Sequence, residues 1–253
     1  MATPITLEIC VDSIESAQAA ARGGAHRIEL CASLAEQGLT PSVGLIATVR
    51  QLIPIPLFVM IRPRPGNFLY SAAEFAAMEH DIAIAKELRA DGIVFGILNE
   101  DRTIDRARNA ELLHLARPLQ ATFHRAFDVS IDLAQSLEAV IQLGFDRLLT
   151  SGGAQKVEQA IPEVKRLRKQ AAGRIALMIG SGVNSTNVRS LIEQTSVREV
   201  HTSARGIASF VSHPPDGIIA ADTLPFSEPA HAVADEQEIR KLGRAIKTID
   251  KCT

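Results

Sequence analysis

The sequence contains little of what several classes of protein require. Its 253 residues include no tryptophan, a single tyrosine and three cysteines. Three cysteines are too few for a disulfide framework in a chain of this length, which predicts a reduced, cytoplasmic protein. With so few aromatic side chains and a net charge of only −2, the chain offers neither base-stacking surfaces nor a basic field. We therefore expect no nucleic acid among its partners.

Long apolar runs are also missing. The longest one, at residues 53–61, is interrupted by Pro54 and Pro56. It is far shorter than the ~20 residues that a membrane-spanning helix needs. The N-terminus has no basic segment followed by an apolar one, so the sequence shows no signal peptide. We expect no association with a membrane.

What the chain does have is a regular alternation of strand-like and helix-like segments. Strands are predicted at residues 6–11, 27–31, 57–61, 92–95, 121–124, 147–150, 175–179 and 199–202. Amphipathic helices are predicted at residues 13–22, 42–52, 72–89, 105–116, 131–143, 156–171 and 187–193. Eight strands joined by crossover helices indicate an α/β protein with a (β/α)8 barrel, the TIM-barrel fold. A doubly wound open sheet is the alternative, because secondary structure alone does not prove closure.

The composition shows no boundary between domains, which predicts one domain over residues 1–253. The barrel core is expected at about residues 5–205, followed by a C-terminal extension at 206–253. Proline, serine and glycine are frequent at residues 206–229, which is typical of a surface excursion. Residues 234–249 have the apolar spacing of a final helix that docks on the barrel.

One tripeptide pattern occurs near the ends of the first two predicted strands. Glu8 and Cys10 share one face of the first strand, and Glu29 and Cys31 share one face of the second, since side chains alternate along a strand. Two carboxylates and two thiols would then converge in the barrel interior. Burial of such groups is costly without a purpose. The pattern therefore marks the candidate functional site.

Acid–base chemistry is one use of such a site. His124 and His201 follow or end predicted strands and are the candidates for proton transfer, with Glu8, Glu29 and Asp128 as their partners. In a (β/α)8 barrel, functional groups lie at the carboxyl ends of the strands. The alternative is a solvated network of ion pairs without catalysis.

Anion binding is predicted at the same end of the barrel. Cations and glycine-rich loops that follow strands can hold a phosphate or a carboxylate. The predicted binding residues are Arg62, Arg64, Arg125, Ser151, Gly152, Gly180 and Gly182. The loops have a second explanation, because glycine also serves tight β-to-α turns that need positive φ. No organic cofactor is evident.

Metal binding is the other use of the tripeptide pattern. Cys10 and Cys31 at matching heights on adjacent strands could hold Cu(I), which prefers thiolate donors. A zinc site would normally require four ligands, and the sequence has no Cys-x-x-Cys or His-x-x-x-His spacing to supply them. A buried cysteine can also be a small apolar core residue.

Several long motifs resemble those of the CutC family of copper homeostasis proteins, over about residues 5–205. The motifs are LEICVDS at 7–13, RIELC at 27–31, MIRPR at 60–64, TFHRAFD at 122–128 and LTSG at 149–152. The resemblance implies a cytoplasmic (β/α)8 barrel that forms a homo-oligomer, often a dimer. It also implies a Cu(I) site whose cysteines correspond to Cys10 and Cys31.

The sequence is therefore compatible with three functions. The first is Cu(I) binding for trafficking or buffering. The second is an enzyme that acts on a small phosphorylated or carboxylated metabolite by acid–base chemistry. The third is a scaffold that uses its outer helices for assembly.

Overall fold

Eight parallel strands form a closed barrel in the computed structural model, which describes residues 4–207 and 232–250. The strands are β1 (Thr6–Val11), β2 (Arg27–Leu30), β3 (Leu57–Met60), β4 (Gly92–Phe95), β5 (Gln120–Phe123), β6 (Arg147–Thr150), β7 (Ala176–Ile179) and β8 (Glu199–Thr202). Each strand pairs with the next along the chain, and β8 pairs with β1. The predicted (β/α)8 barrel is confirmed, and closure excludes the open sheet.

Helices connect the strands on the outside of the barrel. They are α1 (Ile14–Gly23), α2 (Val43–Leu52), α3 (Ala72–Glu87), α4 (Arg106–Ala116), α5 (Leu133–Leu143), α6 (Ile161–Ala171), α7 (Val188–Thr195) and α8 (Glu236–Asp250). Ser71 and Glu74 form a capping box at the start of α3, which satisfies two backbone N–H groups. The predicted helix at 156–171 is instead a 3-10 turn, Val157–Ala160, followed by α6. The predicted helix at 131–143 begins later because Asp132 caps α5.

Strand alternation separates two kinds of core. Leu7, Ile9 and Val11 of β1 belong to the large apolar core between the strands and the helices. Inside the barrel, a smaller apolar cluster contains Cys10, Cys31, Phe58, Met60 and Val94. The predicted orientation of Glu8 and Cys10 toward the interior is therefore confirmed, because their strand neighbours pack outward.

The C-terminal extension packs against α1. A short strand, β9 (Arg205–Ile207), pairs antiparallel with β10 (Ala232–Ala234), a pairing that the sequence did not predict. Helix α8 packs against α1 and α7 and buries Ile239, Leu242 and Ile246. Most of the predicted excursion at 206–229 lies outside the described residues. None of the described helices combines the length and the hydropathy needed to cross a membrane.

Candidate functional site

A cavity of about 590 Å³ opens at the carboxyl ends of the strands. The predicted site residues that line it are Cys10, Glu29, Arg62, His124, Arg125, Gly182 and His201. They come from β1, β2 and β8 and from the segments that follow β3, β5 and β7. The chain therefore brings together residues that are up to 191 positions apart, between Cys10 and His201.

Below the cavity lies a continuous chain of ion pairs, which we call the lower charge layer. Its members are Glu8, Arg27, Arg147 and Glu199. Arg27 pairs with both glutamates, at 2.7 Å from Glu199, and Arg147 pairs with Glu199 as well. The Phe58 ring lies under both guanidinium groups, 4.9 and 5.3 Å from their carbon atoms. Every charge in this layer thus has a partner of opposite sign.

Arg27, Arg147 and Glu199 are not among the site residues predicted from the sequence, although they form this layer. The signal was present for Arg27, because it precedes Glu29 by two positions and therefore shares its strand face. The alternation of side chains along one strand does not give the register between neighbouring strands, and it is this register that places Glu8 beside Arg27. That register depends on the stagger of the barrel.

Glu8 is held in the ionised state by this layer. Burial alone would raise its pKa, but Arg27, His201 and Arg147 outweigh burial and hold the pKa at about 2. Its Oε1 atom lies 2.7 Å from Nδ1 of His201. An ionised carboxylate at that atom makes Nδ1 the donor, so Nε2 is the ring nitrogen left for the cavity. Glu8 itself does not line the cavity.

His201, Glu29 and Cys10 form a compact group of potential metal ligands. One donor atom from each lies within 4.8 Å of the other two. The Sγ atom of Cys10 lies 3.0 Å from Oε1 of Glu29 and 3.7 Å from Sγ of Cys31. Cys31 is fully buried behind this group and does not line the cavity. A soft pair of sulfur atoms therefore stands next to one imidazole and one carboxylate.

Burial shifts the protonation of the same group. The pKa of Cys10 is raised by its contact with Cys31, by burial and by the charge of Glu29. Burial raises the pKa of Glu29, with the nearby charge of Glu8 adding to it. Burial lowers the pKa of His201, but Glu29 and Glu8 outweigh it and the net shift is upward. The Oε2 atom of Glu29 is buried without a hydrogen-bond partner among the described residues.

His124 presents a single hydrogen-bond donor. Burial and the charge of Arg62 lower its pKa to about 3, so the ring is neutral. Its Nδ1 atom accepts a hydrogen bond from the N–H of Ala126 at 3.3 Å. The proton of the neutral ring therefore resides on Nε2, which is buried and has no partner in the described part of the chain.

Arg62 is anchored by main-chain oxygen atoms. One terminal nitrogen donates to the carbonyls of Glu36 at 2.8 Å and Gly38 at 2.9 Å, and the other donates to Gly66 at 3.1 Å. The Nε atom is buried and, within residues 4–207 and 232–250, has no partner. Glu29, Arg62 and His124 thus each retain a buried polar atom without a partner, and we call these three residues the upper layer.

The glycine-rich loop after β6 is filled by a side chain of the protein. The carboxylate of Asp128 accepts from the N–H groups of Ser151 at 3.0 Å and Gly153 at 3.1 Å, and from the hydroxyl of Thr150 at 2.5 Å. Nε of Arg125 donates to the same carboxylate at 2.7 Å. Asp128 therefore occupies the anion position that the sequence analysis assigned to an external ligand.

Besides Glu8 and Cys31, five of the predicted site residues lie outside the cavity. Asp128, Ser151 and Gly152 belong to the filled loop after β6, where Gly152 N–H donates to Thr150. Gly180 directly follows β7 and lies close to Leu149: a Cβ atom on this glycine would be 2.8 Å from that side chain. Arg64 is also outside; it pairs with Glu74 at 2.5 Å on the flank of α3.

Together the fold and the cavity define a (β/α)8 barrel with a ligand-sized site at the carboxyl ends of its strands. The fold is shared widely: phosphoribosylanthranilate isomerase from Thermotoga maritima superposes with a TM-score of 0.59 at 15% identity, over 96% of this chain and 99% of that chain. At that identity the likeness concerns the fold alone.

The family is defined by much closer relatives. The CutC family model matches residues 5–206. The Homo sapiens copper homeostasis protein cutC homolog is 45% identical over 96% of this chain and 89% of its own length. A Bacteroides fragilis CutC family protein is 42% identical over 97% and 96%. The crystal structure of CutC from Streptococcus agalactiae superposes with a TM-score of 0.76 at 35% identity, over 79% of this chain and 98% of that one. The chain belongs to the CutC family.

Proposed function

We propose that this protein acts in copper homeostasis by binding Cu(I) at the barrel mouth, with the sulfur atoms of Cys10 and Cys31 as ligands. The observation that carries the proposal is the distance of 3.7 Å between the two Sγ atoms beside the cavity. Thiolate is a donor that Cu(I) prefers. Relatives with 45% and 44% identity bear the name copper homeostasis protein.

Neighbouring groups fit the same use. His201 and Glu29 each place a donor atom within 4.8 Å of Cys10, and Met60 belongs to the apolar cluster that contains both cysteines. A metal must displace the thiol proton before it binds sulfur. Because the pKa of Cys10 is raised, binding should release protons and weaken as the pH falls. We further propose that the protein works in the cytoplasm as a homodimer, in line with its cysteine-poor sequence and its family.

A Cu(I) titration under reducing, anaerobic conditions tests the metal site. A chromophoric Cu(I) chelator competes with the protein, and the chelator absorbance reports the copper that the protein takes. We expect one tight site per chain in the wild type and its loss in the Cys10→Ser, Cys31→Ser double variant. Cys252→Ser is the matched control, since it removes the third cysteine of the sequence. Unchanged affinity in the double variant would overturn the assignment.

Acid–base catalysis is a second candidate, because Glu8 fixes His201 at 2.7 Å and leaves Nε2 for the cavity. We expect a base in this position to exchange carbon-bound hydrogen of a small organic acid with solvent. Mass spectrometry of a set of 2-oxo and 2-hydroxy acids, incubated with the protein in D₂O, measures that exchange. The exchange should disappear in His201→Gln and persist in the cysteine double variant. Exchange that His201→Gln leaves intact would contradict a catalytic role for His201.

A further inference from the structure

Arg62 is a buried cation without a carboxylate partner. The residue is 3% exposed, and among the described residues it forms no ion pair. The carbonyl oxygens that hold its terminal nitrogens are neutral, so they satisfy N–H groups without balancing the charge. The buried arginines of the lower charge layer, Arg27 and Arg147, both have glutamate partners. An unbalanced buried charge is costly unless something completes it.

A second donor lies next to this cation. The Phe68 ring packs between the two residues, with its centroid 5.1 Å from Cζ of Arg62 and 4.9 Å from the ring centroid of His124. Arg62, Phe68 and His124 all line the cavity. The residue His124 is 4% exposed, and its Nε2–H donor is buried without a partner in the described chain. One positive charge and one neutral donor therefore converge on the same wall of the cavity.

We propose that this wall binds the carboxylate of a small organic acid, which balances the charge of Arg62 and accepts a hydrogen bond from Nε2–H of His124. Charge-assisted hydrogen bonds of this kind are stronger than neutral ones. The site is separate from the sulfur ligands of the copper proposal and does not depend on that proposal.

The charge count favours a carboxylate over a phosphate. Arg125 is already paired with Asp128, and Arg205 is paired with Asp12. Arg62 is thus the one arginine of the cavity wall that lacks a carboxylate partner among the described residues, which suits a single negative charge. The glycine-rich loop that could have held a phosphate is filled by Asp128.

The other residues that line the cavity suit the apolar part of a small organic acid. Met60, Phe68 and Leu149 give the cavity an apolar side. Glu29, an acidic residue, lines the same cavity, and its Oε2 atom has no hydrogen-bond partner among the described residues. Pockets for small molecules typically combine an apolar wall with a few well-placed polar groups. We therefore expect acids with a short apolar body.

Acetate is the probe for the carboxylate site, and acetamide is its neutral isostere. Binding is followed by the ¹⁵N chemical shift of Nε2 of His124 and by the melting temperature, with chloride added to equal ionic strength. Acetate should shift this resonance saturably and raise the melting temperature. Acetamide should bind at least about tenfold more weakly, as expected for the loss of one charged contact.

Substitution of Arg62 and of His124, one at a time, tests the contribution of each residue to acetate binding. His124→Phe and Arg62→Gln should each weaken acetate binding by about tenfold or more. Arg64→Gln is the matched control, since Arg64 pairs with Glu74 and lies outside the cavity. If Arg62→Gln does not fold, His124→Phe and the wild-type comparison decide the matter. The Cys10→Ser, Cys31→Ser variant should retain acetate binding, so failure of the copper site and failure of the carboxylate site are distinguishable.

Three results would overturn the carboxylate site. One is the absence of saturable acetate binding to the wild type. Another is equal affinity for acetate and acetamide. The third is acetate binding that His124→Phe leaves unchanged. Inorganic phosphate that binds more tightly than acetate would replace the carboxylate with a phosphate as the ligand class.

Discussion

The two polar layers of the barrel interior differ in how completely their charges are paired. In the lower charge layer, two arginines and two glutamates form an unbroken chain of ion pairs. In the upper layer, Glu29, Arg62 and His124 each keep a buried polar atom without a partner among the described residues. Buried polar groups in folded proteins are nearly always satisfied. The charges of the lower layer thus balance one another within the fold, whereas the upper layer keeps the unpartnered atoms on which the carboxylate proposal rests.

The repeated tripeptide shows the same difference at the level of two residues. Glu8 and Glu29 occupy equivalent positions in β1 and β2, two residues before a cysteine. The pKa of Glu8 is held at about 2, because Arg27, His201 and Arg147 outweigh the effect of burial. Burial raises the pKa of Glu29, which forms no ion pair with an arginine among the described residues. One sequence pattern thus yields two carboxyl groups whose pKa values are shifted in opposite directions.

The largest expected effect comes from breaking the lower charge layer. Arg27→Met should lower the free energy of unfolding by about 3–5 kcal/mol, because it leaves Glu8 buried without its main cation. Urea denaturation followed by circular dichroism measures this loss. Arg22→Met is the control, since the Arg22–Glu236 pair on the surface is solvent-screened and should contribute little. Equal losses in the two variants would contradict a special role for the lower layer.

A smaller effect distinguishes the two glutamates at neutral pH. Glu8→Gln should destabilise the protein by about 2 kcal/mol, because charged hydrogen bonds to His201 and Arg27 are weakened. Glu29→Gln should change stability by less than about 1 kcal/mol or increase it, since burial disfavours the charge that it removes. The same urea experiment measures both. Loss of similar size in both variants would mean that the two carboxyl groups play the same part.

The pH dependence of these two variants should be opposite in sign and is the finest test of the comparison. Because the native-state pKa of Glu8 lies below the ordinary value of 4.5, its contribution is present above pH 4.5 and is lost as the pH falls toward 2. The deficit of Glu8→Gln should therefore shrink in acid. The pKa of Glu29 lies above 4.5, so any gain in Glu29→Gln should grow as the pH rises past 4.5. Unfolding free energies at several pH values would show this.

Much of the fold could be predicted from the sequence. The strand and helix periods are clear, and β1, β4, β6 and β8 have the predicted bounds. Alternation along β1 and β2 correctly placed Glu8, Cys10 and Glu29 inside the barrel, because outward neighbours must pack under the helices. These features depend on local patterns, which a single sequence carries.

What could not be predicted depends on pairing between distant segments. The distance of 3.7 Å between the sulfur atoms and the pairing of Arg27 with Glu8 are set by the stagger of the barrel. The capture of Asp128 by the loop after β6 depends on the 3-10 turn at Arg125–Val129, which aims the carboxylate at the backbone N–H groups. Arg64 follows β3 in sequence as Arg62 does, but its side chain forms an ion pair with Glu74 and lies outside the cavity.

We propose that the mouth of the barrel binds Cu(I) through the sulfur atoms of Cys10 and Cys31. X-ray absorption at the copper edge of the Cu(I)-loaded protein tests it most directly. We predict two sulfur scatterers from Cys10 and Cys31 at bonding distance in the wild type and one fewer in Cys31→Ser. A sulfur signal that is unchanged in Cys31→Ser, or a wild-type spectrum with only oxygen and nitrogen ligands, would contradict this assignment.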